Sequence, residues 1–270
     1  MDLNTVTEIA RPRQRAELPA WRDGDAWLAG GTWLFSEPQN SVTRLIDITD
    51  LAWPALEITE QSLRIAATCK VAELDGMAFP ASWTAAPLFS QCCRSFLASF
   101  KVWNMATVGG NLCMALPAGP MISLTAALDG TCTIWTPGGG ERRVSVVHFI
   151  KNPERNALGR GELLRHIDLP IAALQRRTAF RQISLSPLGR SAALLIGTLA
   201  PDSGSFSLTV TASTPRPVRL SFTFMPSGDA LQREIERMIA MYHNDAHGSP
   251  DWRKHMTLRL AQEIRDELNG

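Results

Sequence analysis

Two short segments of the sequence combine adjacent glycines with small and polar residues in a way that suits anion binding. Residues 28–34 read Leu-Ala-Gly-Gly-Thr-Trp-Leu, and residues 107–111 read Thr-Val-Gly-Gly-Asn. Glycine lets the backbone approach a bulky ligand closely and adopt positive φ, so successive N–H groups can point at one cluster of oxygens. A single Gly-Gly pair more often marks an ordinary turn between a strand and a helix. Two such pairs, called here the first and second glycine loops, could together hold the two phosphates of a pyrophosphate without a lysine.

The two glycine loops resemble those that hold the FAD diphosphate in the FAD-binding, or medium, subunit of the molybdenum hydroxylases. This family includes xanthine dehydrogenase, carbon monoxide dehydrogenase and aldehyde oxidoreductase, and it carries an Ala-Gly-Gly-Thr-Asp loop followed by a Thr-(Ile/Val)-Gly-Gly-Asn loop. Residues 162–170 also resemble the family's Glu-Leu-Leu-x-x-Ile-x-(Ile/Leu)-Pro segment, and residues 252–256 resemble its Tyr-Arg-x-x-(Met/Leu) motif. The resemblance therefore covers essentially the whole chain.

The resemblance implies a FAD site. The residues that it assigns are Leu28, Ala29, Gly30, Gly31, Thr32 and Trp33 in the first loop, Thr107, Gly109, Gly110 and Asn111 in the second loop, and Leu164 and Arg181 beside the flavin ring. Arg181 stands where the family often has lysine, and its fixed charge could stabilise the reduced flavin near N1. The alternative, a surface arginine on a strand, stays open. Trp33 and Pro120 stand where the family has Asp, and proline offers neither a carboxylate nor an N–H.

By the same resemblance, the chain is an oxidoreductase subunit with FAD as its own cofactor. Substrate would react at a molybdenum cofactor on a large partner subunit, and electrons would pass through 2Fe-2S clusters on a small partner to this FAD. The FAD would then reduce NAD+, oxygen or another acceptor, and no catalytic side chain is expected here because the protein positions and tunes the cofactor. Trp33, Pro120 and a short amino-terminal segment motivate an alternative, a flavin-weakened structural or assembly subunit. A self-standing flavin oxidase is a third hypothesis, for which we find no substrate acid or base.

The fold class implied is α+β. Residues 1–168 are expected to form a FAD-binding domain of the vanillyl-alcohol-oxidase-like type, with two α/β subdomains at about 1–55 and 56–168. Residues 169–270 are expected to form a carboxy-terminal domain with a small antiparallel sheet and packed helices.

The elements that must position the loops can be predicted from alternating and helical apolar patterns. The first loop follows a strand in a βαβ-like unit, and the second loop follows a helix at 87–100. Thr68 is predicted to cap a helical start, and Gly130 to end a helix at 121–128. The predicted strands are 26–29, 43–48, 56–59, 63–67, 131–135, 142–146, 162–170, 179–183, 192–198 and 206–210, and two further helices are predicted at 231–242 and 252–268.

Charge and hydropathy exclude several classes of partner. The net charge of +1 argues against a nucleic-acid or anionic-membrane partner. No apolar run reaches membrane-spanning length, and the first residues lack the apolar core of a signal peptide. We therefore expect a cytoplasmic protein. The motifs of a Rossmann dinucleotide fold and of a serine hydrolase are both missing.

Cysteine and histidine patterns point away from metal and disulfide chemistry. The number of cysteines, five, is odd and no Cys-x-x-Cys occurs, so a disulfide framework is not expected and an iron–sulfur cluster belongs on another chain. Cys92 and Cys93 are interpreted as helix core. His243, His247 and His255 have a spacing that suggests a metal site, but loop-forming residues surround them and favour a solvated linker.

Overall fold

The first sheet is parallel and delivers the first glycine loop. In the computed structural model, which describes residues 3–270, its strands are β1 (Glu8–Ala10), β2 (Asp25–Leu28) and β3 (Arg44–Asp47), in the order β1-β3-β2. A single 3-10 turn links β1 to β2. The predicted βαβ-like unit has the parallel strands that were expected. The helix between them was wrongly predicted, because residues 29–43 join β2 to β3 through turns.

The second sheet is antiparallel and carries the helices that lead to the second glycine loop. The strands that follow are β4 (Leu56–Ile58), β5 (Ser62–Ala66), β6 (Thr131–Trp135), β7 (Glu141–Ser145), β8 (Ile150–Asn152), β9 (Arg155–Asn156) and β10 (Leu163–Pro170). The sheet has the order β4-β5-β10-β6-β7, and β8 pairs with β9 as a separate ribbon. Alternate residues such as Leu63, Ile65 and Ile167 form one fully buried face. The helices over this core are α1 (Val71–Asp75), α2 (Pro87–Arg94), α3 (Phe100–Met105), α4 (Val108–Met114) and α5 (Pro120–Ala127).

The predicted helix at 87–100 is wrong in length, since the chain forms two helices, α2 and α3. Two serines interrupt the apolar pattern. Ser95 Oγ donates to the Cys92 carbonyl (2.8 Å), and Ser99 Oγ accepts from the Val102 N–H (3.4 Å) as the cap of α3. Short hydroxyl side chains compete for backbone groups in this way and favour helix ends.

Thr68 does not cap a helix, because the backbone around it pairs with the segment that enters the second loop. The Val71 N–H donates to the Ala106 carbonyl (2.9 Å), and the Val108 N–H donates to the Cys69 carbonyl (2.8 Å). The helix α1 therefore begins only after Lys70.

The end of α5 also differs from the prediction, because Asp129 rather than Gly130 is the left-handed residue, with φ 56°. Gly130 comes next, and its N–H donates to the Thr125 carbonyl (2.7 Å).

The third sheet is antiparallel. One of its faces packs against the core of the second sheet, and the other packs against helices. Its strands are β11 (Arg177–Ile183), β12 (Ala193–Leu199), β13 (Phe206–Thr211) and β14 (Val218–Phe222), and the remaining helices are α6 (Val146–Phe149), α7 (Ile171–Leu174), α8 (Gly228–Met238) and α9 (Pro250–Asn269). Leu194 and Ile196 belong to the core over the second sheet, whereas Ala193 and Leu195 pack against α9. The strand β12 is thus buried on both faces. No helix among residues 3–270 is long and apolar enough to cross a membrane.

Candidate functional site

The two glycine loops meet in space. A Cβ added at Gly30 would lie 1.9 Å from the Met105 carbonyl oxygen, at the end of α3 and just before Thr107. The first loop therefore lies against the backbone that enters the second loop, and only glycine permits this approach at position 30. Two segments far apart in the sequence thus form one half-buried site.

The first glycine loop presents a row of free donors. Within residues 3–270, the backbone N–H groups of residues 30–34 donate to no protein acceptor. The loop is held through its carbonyls instead, since the Phe35 N–H donates to the Gly31 carbonyl (2.8 Å) and the Ser36 N–H donates to the Trp33 carbonyl (2.9 Å). Gly31 has φ +68°, which favours glycine. Because backbone donors away from bulk water normally have partners, these N–H groups are suited to bind an external anion.

The second glycine loop has its backbone donors occupied within the chain. It forms the first turn of α4, where Thr107 is the N-cap. Its N–H groups donate as follows: Val108 to the Cys69 carbonyl (2.8 Å), Gly109 to the Ala67 carbonyl (2.9 Å), Gly110 to Thr107 Oγ1 (3.0 Å) and Asn111 to the Thr107 carbonyl (3.0 Å). The need for glycine is steric at Gly109, because a Cβ there would lie 2.5 Å from the Ala67 Cβ. This loop fixes where the first loop and α4 lie.

Asn111 connects the second loop to the start of α5. Its Oδ1 accepts from the Met121 N–H (3.1 Å) in the first turn of α5. This bond takes the place of a side-chain N-cap, because the residue at the N-cap position is Gly119. Pro120 is buried at the first position of α5, where the lack of an N–H costs nothing to the helix. The side-chain amide Nδ2 of Asn111 donates no hydrogen bond to residues 3–270 and stays available to a ligand.

Leu164 lies in β10 in the core under the second loop. It is 1% exposed and packs with the residues that cover the second sheet. The neighbouring Arg165 carbonyl accepts from the Ala67 N–H (3.1 Å), and the Ala67 carbonyl in turn accepts from Gly109. One chain of hydrogen bonds therefore ties β10 to the second loop.

The Arg181 side chain forms ion pairs with the last helix. Its Nε lies 3.2 Å from Glu263 Oε2 and its Nη2 lies 2.6 Å from Glu267 Oε2, both on α9. The strand period explains this direction, since Ala179 belongs to the core beneath α9 while Phe180 packs against the core of the second sheet. The ion pairs favour the interpretation of Arg181 as an arginine of the third sheet.

The cysteines are free thiols with structural surroundings. Cys92 and Cys93 are both fully buried in α2, which confirms their interpretation as helix core. Burial raises the pKa of the Cys93 thiol to about 12, which suppresses the reactive thiolate.

His243 Nε2 lies 3.3 Å from Asp245 Oδ2 in the loop before α9, and burial lowers the pKa of His243.

Comparison with known proteins decides the family. The model of the FAD binding domain in molybdopterin dehydrogenase matches residues 6–172. This chain belongs to that family. As a member of this family of FAD-binding oxidoreductase subunits, it has FAD as its cofactor, in agreement with the resemblance on which the site was predicted.

Individual relatives of this FAD-binding family member are distant. Caffeine dehydrogenase subunit beta of Pseudomonas sp. strain CBB1 is 31% identical over 98 residues, which cover 36% of this chain and 33% of the relative. Glyceraldehyde dehydrogenase medium chain of Sulfolobus acidocaldarius is 33% identical over 85 residues, which cover 32% of this chain and 30% of the relative. The aligned part thus spans about a third of the length of these curated relatives. The fold is shared over a greater length with reconstituted CO dehydrogenase from Oligotropha carboxidovorans, at a TM-score of 0.83, 20% identity and 96% of each chain.

Proposed function

We propose that this chain is the FAD-carrying electron-transfer subunit of a molybdenum hydroxylase complex. A large partner with a molybdenum cofactor oxidises the substrate, a small partner with 2Fe-2S clusters relays the electrons, and the FAD passes them to NAD+, oxygen or another acceptor. The family and the subunit names of the relatives support this arrangement. The observation that carries it is the row of free N–H groups at residues 30–34, beside a second loop that resembles the family's.

The free donors fit a diphosphate. We propose that the N–H groups of residues 30–34 and the Thr32 hydroxyl hold the phosphates, where each charge-assisted bond contributes roughly 1.5–3 kcal/mol. Asn111 Nδ2 adds a donor from the second loop, while Thr107, Gly109 and Gly110 hold that loop at the right distance. Leu28, Ala29 and Trp33 flank the site, and Leu164 supports it from the core.

FAD supplies the electron-transfer chemistry when bound, because its ring can accept and release electrons singly or in pairs. The chain binds and orients it and shields it from water, so no residue here needs to act as acid or base. We also propose that the boundary between the two domains lies between residues 168 and 169. A cytoplasmic location is part of the same proposal.

The proposal is tested by purifying the chain alone and together with a molybdenum-cofactor subunit and a 2Fe-2S subunit. We expect flavin absorption bands in both preparations and co-purification of all three subunits. A chain that stays colourless in the complex and takes up no added FAD would refute the cofactor role.

Pro120 favours a second candidate, a structural subunit with weakened flavin binding. Proline is buried where the family has Asp, so one acceptor for the cofactor is missing. In that case the wild-type chain would assemble with its partners without colour. The variant Pro120→Asp would then increase FAD uptake, whereas equal uptake by both proteins would exclude this explanation.

A further inference from the structure

A large cavity lies away from both glycine loops. It has a volume of about 770 Å³ and opens between residues 15–21, at the amino end, and the turn that joins β6 to β7. This volume falls within the roughly 300–1,000 Å³ typical of small-molecule sites. Its walls include three indoles, those of Trp21, Trp27 and Trp135.

The cavity lining contains no residue of either glycine loop, although two of its residues lie in strands next to predicted FAD-site residues. Trp27 of β2 and Leu163 of β10 line the cavity. The next residues along these strands point elsewhere, since Leu28 lies against Gly31 of the first loop and Leu164 belongs to the core over the second sheet. Because successive strand residues face opposite sides, the cavity and the FAD site lie on opposite sides of these two strands.

Hydrogen bonds fix two of the three indoles in place. Trp27 Nε1 donates to the Glu162 carbonyl (2.9 Å), and Trp135 Nε1 donates to Glu141 Oε1 (2.7 Å). The ring centroids of Trp21 and Trp27 lie 5.1 Å apart. The adjacent rings of Trp21 and Trp27 present apolar π surfaces that can stack on a planar ligand.

The charged residues of the cavity lining are arginines. Arg15 lies over the Trp135 ring, with its guanidinium carbon 4.4 Å from the ring centroid, and Arg160 stands at the rim. The carboxylates that pair with them, Glu141 and Asp23, lie outside the lining. The Arg160–Asp23 pair is exposed, at 63% and 93% of the two side chains, and such pairs hold their partners only weakly. The Arg160 guanidinium can therefore turn to an anion in the cavity. Arg15 is held by Glu141, by the Gly140 carbonyl and by the Trp135 ring, and it adds a fixed positive charge to the wall.

We propose that this cavity binds a planar aromatic carboxylate, with its ring against Trp21 and Trp27 and its carboxylate on Arg160, near the positive charge of Arg15. Aromatic walls select a flat ring, and the arginines select a negative charge. This site is independent of the FAD site and of the activity proposed above.

Isothermal titration of the full chain tests the proposal with three probes: 2-naphthoate, cyclohexanecarboxylate and 2-naphthylmethylammonium. We expect 2-naphthoate to bind with one site per chain and the other two to bind at least about tenfold more weakly, or 1.4 kcal/mol. Equal affinity for all three probes, or no binding of 2-naphthoate, would overturn the proposal. Titrations of the FAD-loaded and FAD-free chains should agree, and competition by FAD would instead place the probe at the glycine loops.

Two surface variants separate the rim charge from general effects. Arg160→Gln should weaken 2-naphthoate binding about threefold to tenfold, because it removes one of two cations at the rim. Arg155→Gln is the matched control, since Arg155 is exposed on β9 and lies outside the cavity lining. Equal losses in both variants would show non-specific attraction and refute the assigned site.

Trp21→Ala should weaken 2-naphthoate binding about tenfold or more, and unchanged affinity in a folded variant would refute the stacking.

Discussion

The two glycine loops share a Gly-Gly pair between a small apolar residue and a polar one, but they differ in the use of their backbone donors. In the first loop, the N–H groups of residues 30–34 donate to no acceptor within residues 3–270, and the loop is half-buried. In the second loop, every N–H from Val108 to Asn111 is bonded within the chain. A Gly-Gly pair can thus supply free donors in one setting and permit close packing in another.

This difference follows from what surrounds each pair. The second loop opens a helix with a hydroxyl cap at Thr107, and the strand-like segment at residues 67–69 crosses it and accepts its remaining donors. The first loop follows an edge strand of a small parallel sheet and continues into turns. We therefore assign phosphate binding mainly to the first loop and positioning to the second.

The largest effect is expected at Gly30. Gly30→Ala places a methyl group against the Met105 carbonyl and forces the first loop away from the second. Losing two charge-assisted hydrogen bonds of roughly 1.5–3 kcal/mol each would weaken FAD binding about 100-fold or more. Titration of the apoprotein with FAD, followed by flavin fluorescence, measures this loss. Gly76→Ala is the control, because its added Cβ meets nothing closer than 3.7 Å; matching affinities for the two variants would count against the assignment.

A different outcome is expected at Gly109. Gly109→Ala overlaps Ala67, and overpacking of this kind typically costs about 1–3 kcal/mol of unfolding free energy. The thermal midpoint of the apoprotein should fall by several degrees, since 1 kcal/mol corresponds to roughly 2–4 °C. The folded fraction should still bind FAD within about tenfold of wild type. A stable variant that has lost FAD would show that the second loop binds the phosphates directly.

A smaller effect is expected at Thr107, because its hydroxyl caps α4. Thr107→Val removes the acceptor of the Gly110 N–H, and loss of an N-cap costs about 0.5–2 kcal/mol. Thr107→Ser retains the hydroxyl and should restore most of the stability. Chemical unfolding of the two variants measures their free energies of unfolding. Equal values would show that the Thr107 hydroxyl does not stabilise α4.

The smallest effect is expected at Arg181. Arg181→Gln breaks its ion pairs with Glu263 and Glu267 on α9, which should cost under about 1 kcal/mol because all three side chains are partly exposed. FAD content and the flavin reduction potential should stay unchanged. A clear shift of the potential would instead support the flavin contact that the resemblance implies.

The fold was largely predictable because its strands carry regular apolar patterns. The hairpins of the second sheet and the hairpin of β12 and β13 follow from alternation and turn residues, and α9 extends over residues 250–269 much as predicted. Helix ends were less predictable. At Ser95 and Ser99 the apolar spacing continues, yet hydroxyl bonds to the backbone end one helix and start another.

The two glycine loops could be found from the sequence, but their hydrogen bonds could not be predicted from it. The occupied donors of the second loop depend on residues 67–69, whose approach is a tertiary contact without a local signal. The direction of Arg181 could have been inferred, since Ala179 and Ile183 share its side of β11 and pack toward α9. The cavity with three indoles draws on several separate segments and has no sequence signature.

The most direct test of the central claim is backbone amide hydrogen exchange, measured on the FAD-free and FAD-loaded chain. We expect fast exchange at residues 30–34 without FAD and marked protection with FAD, because the phosphates become acceptors for these donors. We also expect residues 108–111 to be protected in both states. Unchanged exchange at 30–34, together with new protection at 108–111, would contradict the account and move phosphate binding to the second loop.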